Sequence, residues 1–104
     1  MVQVVWTKRV LKDIEEIAEH ISKDSLQYAE LVVQNIFLRA LQLSDYPEMG
    51  HPVREIGRMD VREITKYKYR IIYRLKSESR IDILTIHHSS RLLANNPGVQ
   101  SFLQ

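Results

Sequence analysis

YRIIYRLKSESRIDILTIH, Tyr69–His87, is the stretch that decides the fold. Side chains of an extended chain alternate between two faces, so Tyr69, Ile71, Tyr73 and Leu75 share one face and Arg70, Ile72 and Arg74 the other. Lys76-Ser77-Glu78-Ser79 is a polar connection of hairpin length. The run after it, Arg80–His87, is apolar on both faces, which suits a strand flanked on each side rather than an edge. Upstream, Val61–Lys66 has the same period and is separated from Tyr69 only by Tyr67-Lys68. The spacing predicts three strands in an antiparallel meander. Strict alternation would gather Arg62, Ile64 and Lys66, then Arg70, Ile72 and Arg74, then Asp82, Leu84, Ile86 and His88 on one open face.

Before these strands the period is helical. Val10, Ile14, Ile17, Ala18 and Ile21 form one stripe, with Lys12, Glu15, Glu16 and Glu19 opposite, and Thr7 stands where an N-cap belongs. Ser22-Lys23-Asp24 breaks that pattern, and Asp24 with Gln27 has capping-box spacing for a second start. The second helix carries Ala29, Val32, Val33, Ile36, Phe37, Ala40 and Leu43 on its buried face and stops at Tyr46-Pro47. So short a link makes the helices an antiparallel hairpin. Tyr46–Gly57 holds two of the three prolines and two of the three glycines and reads as a loop. Val2–Trp6 is β-branched and aromatic, a first strand. The order is β-αα-βββ, an α+β fold with the helical hairpin on one face of a single sheet. Residues 92–104 read as a flexible or short helical tail, with a turn at Asn96-Pro97-Gly98.

A chain of 104 residues is one domain, long enough for a core without staples. There is no Cys, which removes disulfides and thiolate zinc sites. The start MVQVVWTKRV has no signal-peptide pattern and no run of membrane-spanning length occurs, so the expectation is a cytoplasmic protein. The first 52 residues carry 5 Lys and Arg against 8 Asp and Glu, and the remainder 10 against 5. A basic second half suits an anionic partner, nucleic acid or acidic peptide.

The ordered motifs VVWT (Val4–Thr7), DIEEIAEHI (Asp13–Ile21), YPEMGHPVREI (Tyr46–Ile56), VREI (Val61–Ile64), YRIIYRL (Tyr69–Leu75) and IDILTIHHSSR (Ile81–Arg91) resemble the RelE/ParE superfamily of type II toxin-antitoxin toxins, also described as plasmid stabilisation proteins. The resemblance spans roughly Val4 to Leu93. It implies a growth-arresting toxin neutralised by a small, amphipathic cognate antitoxin, usually encoded beside it, and no cofactor. RelE-like members cleave messenger RNA on the ribosome; ParE-like members resemble inhibitors of DNA gyrase. Two lysines of the ribonuclease pattern fall at Val61 and Glu63, and its C-terminal tyrosine near Asn95, while Arg70 matches its phosphate-holding arginine. Cleavage needs a base, an acid and cations on the phosphate, so these departures weigh against it. The spacing His88-Ser89-Ser90-Arg91 matches the H-x-x-R of many ParE-like sequences.

The resemblance therefore points to a ParE-like toxin acting on gyrase, with RelE-like messenger RNA cleavage as the alternative and a non-toxic RNA-binding module as the second. If the chain is a ribonuclease, Arg70, His88 and Arg91 are the catalytic candidates. The candidate target-binding set is Arg62, Lys66, Arg70, Arg74 and Arg91. A solvated strand face explains alternating arginines equally well without any ligand. His87 and His88 point to opposite faces and cannot share a metal. Tyr69 and Tyr73 read as core. Leu31 and Leu38 lie a heptad apart on the polar side of the second helix, among Gln27, Gln34 and Gln42. They are candidates for antitoxin binding, with a homodimer as the other use.

Overall fold

The computed structural model describes residues 1–103; the last position of the predicted tail lies outside them. β1 (Gln3–Trp6) leads into α1 (Lys8–Ser22) and α2 (Leu26–Leu41), which ends in a 3-10 turn at Gln42–Ser44. β2 (His51–Pro52), β3 (Val61–Lys66), β4 (Tyr69–Ser77) and β5 (Arg80–His88) follow. The sheet order is β1-β5-β4-β3-β2, antiparallel throughout except that β1 runs parallel to β5. Thr7 caps α1, its side chain accepting from the Val10 amide at 3.4 Å and donating to the Ile83 carbonyl at 2.7 Å. The helix start is thereby tied to β5. α2 is capped by Ser25, which accepts from the Tyr28 amide at 3.0 Å, and not by the expected Asp24. Ser25 has the extended backbone that a cap requires.

The helical hairpin buries one sheet face. Val10, Ile17, Val32, Ile36, Ala40 and Leu43 pack on Ile64, Ile71, Tyr73, Ile81, Ile83 and Ile86. Tyr73 is fully buried, and its hydroxyl accepts from the Gly50 amide at 3.0 Å. A Cβ at Gly50 would lie 2.5 Å from the Glu63 carbonyl oxygen, so only glycine admits this approach. Phe37, expected in the core, is instead 43% exposed and stacks on Trp6 with centroids 4.9 Å apart.

Two expectations about the other face are corrected. Leu84 is an extra residue in β5, because Ile72 pairs with Thr85 while Tyr73 pairs with Ile83. The bulge reverses the alternation beyond it, sending Ile86 and His88 to the helix side with Ile71 and Tyr69. β3 is also opposite to expectation: Ile64 pairs with Ile71, so Arg62, Ile64 and Lys66 face the helices, while Val61 and Glu63 join Arg70, Ile72 and Arg74. That second face is not open. Val53, Val61, Ile72, Leu93 and Val99 form a second apolar cluster, flanked by Ile56, Leu84, Phe102 and Leu103. The predicted loop supplies β2, paired to Arg62 and Glu63, and then Val53. The tail supplies the rest through short 3-10 turns at Leu93–Asn95 and Gln100–Phe102.

Candidate functional site

β1 is shorter than β5, so the last residues of β5 lack a neighbour on that side. α1 supplies one. Asp13, 8% exposed, accepts from the Ile86 amide at 3.1 Å and from the Thr85 hydroxyl. Its other oxygen takes Arg9, whose Nε lies 3.0 Å away. From Thr85 the chain of polar contacts runs into the tail: Asn96 Nδ2 donates to Thr85 Oγ1 at 3.0 Å and to His87 Nδ1 at 2.9 Å. Because Nδ1 accepts, the His87 proton is on Nε2, which donates to the Arg91 carbonyl at 2.9 Å. Asn96 Oδ1 accepts from the Gly98 amide at 2.7 Å, which fixes the amide's orientation. Every buried polar atom of this network has a partner, so it pins the tail to the strand end rather than leaving a reactive group.

Between α1, the end of the β4–β5 pair and the first part of the tail lies an open groove of about 830 Å³, lined by Arg9, His20, Tyr69, His88, Arg91 and Asn95 among others. His88 Nδ1 accepts from the Ser90 amide at 3.2 Å and lies 2.7 Å from the Ser90 hydroxyl. His88 held in this way presents Nε2–H, a donor and not a base. Tyr69 meets the His88 ring edge-on at 5.4 Å. Burial pushes the Tyr69 hydroxyl up from its ordinary value, with the Arg91 charge pulling the other way. The Arg91 guanidinium has no ion-pair or hydrogen-bond partner among the described residues.

The other candidate cations do not join this groove. Arg70 lies on the tail-covered face, its Nε 2.6 Å from Glu63 Oε1, while Nη1 and Nη2 reach Glu55 at 2.8 and 2.9 Å. The Arg70 guanidinium holds the Glu55 carboxyl down at about 2, and the two carboxylates raise the Arg70 value further. Arg74 shares Asp60 with Arg58, and both guanidinium groups stand over the Phe102 ring, at 5.1 Å for Arg58 and 5.6 Å for Arg74. Arg62 donates to the Gly50 and Met59 carbonyls, and Lys66 sits 5.2 Å from the centre of the Tyr67 ring. Leu31 and Leu38 are 49% and 51% exposed on α2. The sequence gives no role to Asp13, Asn96 or Glu55, and marks Glu63 only as a departure from the ribonuclease pattern, not as a partner of Arg70. Asp13 alone left a signal, since an acid at position 13 interrupts the apolar stripe of Val10, Ile14 and Ile17.

A helical hairpin packed on one face of a mixed five-stranded sheet, in the order β-αα-ββββ, is the fold of RelE/ParE toxins. Residues 4–93 match the family described as ParE toxin of type II toxin-antitoxin system, parDE, and the chain belongs to that family. It is 31% identical over 87 residues to the putative toxin Y4kP of Sinorhizobium fredii, covering 84% of this chain and 88% of that one. It is also 31% identical over 96 residues to toxin RelE2 of Caulobacter vibrioides, covering 88% and 100%. Among solved structures, the chromosomal ParDE system of P. aeruginosa superposes with a TM-score of 0.71 at 24% identity, over 85% of this chain and 96% of that one. A mutant of the E. coli toxin RelE in the free state gives 0.61 at 15%, over 98% and 93%. The protein is a toxin of a type II toxin-antitoxin system, and the family implies a cognate antitoxin.

Proposed function

We propose that the toxin arrests growth in the ParE manner, by binding DNA gyrase rather than by cutting RNA, and that the groove at the end of β5 is part of its target-binding surface. The observation that carries this reading is the fate of the positions a RelE-like ribonuclease would use. Val61 is fully buried in the second cluster, and Glu63, 5% exposed, puts a buried carboxylate where the ribonuclease pattern has a lysine. Glu63 and Glu55 already occupy the Arg70 guanidinium. Two carboxylates on the arginine of the YR motif repel a phosphodiester. In the groove, Arg91 offers an anionic or acidic target a cation with no partner among the described residues, with Tyr69 and His88 also lining it.

One observation favours the RNA-cleaving alternative: Tyr69, His88 and Arg91 line one groove of about 830 Å³, a volume in the range of small-ligand sites. The two readings separate in vitro. Purified toxin is expected to block gyrase supercoiling and to leave messenger RNA on translating ribosomes intact. Codon-specific cuts that disappear with His88→Ala would overturn the proposal. A cytoplasmic location follows from either target, and among the described residues no helix is long and apolar enough to cross a membrane. Leu31 and Leu38 are assigned to antitoxin binding, as apolar side chains that the fold leaves uncovered.

A further inference from the structure

β5 ends at His88 and the next regular element is the 3-10 turn at Leu93–Asn95, so Arg91 lies on a link that neither a ladder nor a helix holds. Its place depends on side chains. Two consecutive histidines supply them from opposite faces of the strand. His88, on the helix side, takes the Ser90 amide on Nδ1, and its carbonyl accepts from the Arg91 amide at 3.1 Å. His87, on the tail side and 6% exposed, donates from Nε2 to the Arg91 carbonyl at 2.9 Å. Both backbone polar groups of Arg91 are thereby held, while its side chain is left to the groove.

The direction of the His87 bond is set from α1. A carboxylate only accepts, so Thr85 gives its hydroxyl hydrogen to Asp13 and receives Asn96 on its oxygen. Asn96 has one amide hydrogen left for His87 Nδ1, which leaves the ring proton on Nε2, aimed at Arg91. Reversal is blocked, because the Asn96 oxygen already accepts from the Gly98 amide. The tail is anchored without the imidazole, by Leu93 and Val99 in the second cluster and by Asn96 on Thr85. What His87 adds is the hold on Arg91.

We propose that His87 is a positioning residue of the groove: its Nε2–H fixes the Arg91 peptide, and so the root of the arginine side chain, before the target arrives. The proposal rests on the reading of the groove as the target-binding surface. A cation on a fixed backbone has less freedom to lose on binding than one on a mobile link, which strengthens its contact with an acidic or anionic group.

Two amide side chains of different length divide the ring between them. A glutamine nitrogen reaches the place of imidazole Nε2, an asparagine only that of Nδ1. His87→Gln therefore keeps the donor to Arg91, and His87→Asn keeps only the acceptor for Asn96. The toxin level that halves growth is expected to rise about tenfold for His87→Asn and to stay within about twofold of wild type for His87→Gln. This readout holds for either target. In parallel, the NMR order parameter of the Arg91 amide is expected near the rigid value of about 0.85 in wild type and His87→Gln and lower in His87→Asn, with Val99 rigid in all three. Activity restored by asparagine and not by glutamine would overturn the proposal, because His87 would then serve the tail through Asn96. Full activity of His87→Asn beside an inactive Arg91→Ala would overturn it and leave the groove reading intact. If Arg91→Ala arrests growth like wild type, the groove reading falls and the proposal with it. Should His87→Asn fail to fold, the unmodified toxin decides: an Arg91 order parameter below about 0.6 would overturn the proposal.

Discussion

Arg70 shows how one residue can match a family motif and still do different work. Its position in YRIIYRL was legible, but its partners were not, because Glu55 comes from an irregular loop and Glu63 from a strand whose facing was misjudged. Removing the arginine leaves Glu63 with a nearly buried, uncompensated charge. Arg70→Ala is therefore expected to lower stability by about 2 to 3 kcal/mol, measured by urea unfolding. Loss of toxicity in that variant is thus read together with its stability. The pair also has a pH signature. Glu55 falls from 4.5 to about 2 on folding, so its contribution is present above pH 4.5 and is lost as pH falls toward 2. The Glu55 side chain is 43% exposed. Solvent screening then limits the effect to roughly 1 kcal/mol. The stability gap between wild type and Glu55→Gln is expected to be widest near neutrality and to close through that window. Asn96→Ala is the third test at this scale. It strips a donor from both His87 and Thr85 and should cost about 2 kcal/mol.

At the scale of elements, the helices and the three long strands were legible because each announces itself by local period. The bulge at Leu84 was not, since an extra residue is defined only by what it fails to pair with on β4. The second apolar cluster was hidden for a related reason. Val53, Leu93 and Val99 come from segments with no period, and their burial depends on the face they happen to cover. The tail's closing turn is sterically fixed, because a Cβ at Gly98 would lie 2.9 Å from the Leu84 carbonyl oxygen and from Thr85 Cβ. Here the tail and the bulge fit each other. If residues 92–103 are an integral layer, Leu93→Ala, at a site 3% exposed, should cost about 2 to 3 kcal/mol. For a flexible tail the same change would stay within roughly 0.5 kcal/mol. Thermal denaturation of the variant separates the two.

On the scale of the whole molecule, the fold separates the surface proposed to act from a surface proposed to be neutralised. Arg91 lies in the groove past the end of β5, while Leu31 and Leu38 lie on α2, seven residues apart on the face opposite Val32 and Ile36. Neither leucine holds the core, since both are about half exposed. Changing them should leave stability within roughly 0.5 kcal/mol. Burying a leucine in an interface stabilises it by about 1.5 to 3 kcal/mol, so losing both should weaken antitoxin binding by well over tenfold. Leu31→Ser with Leu38→Ser is then expected to stay toxic but escape rescue by co-expressed antitoxin. Arg91→Ala should behave in reverse, keeping antitoxin affinity while losing growth arrest. Growth curves with and without antitoxin, beside calorimetric affinities, read both variants in one experiment. If the double serine variant is rescued as well as wild type and binds with unchanged affinity, the two leucines are ordinary surface residues. If Arg91→Ala arrests growth fully, the groove is not where this toxin meets its target.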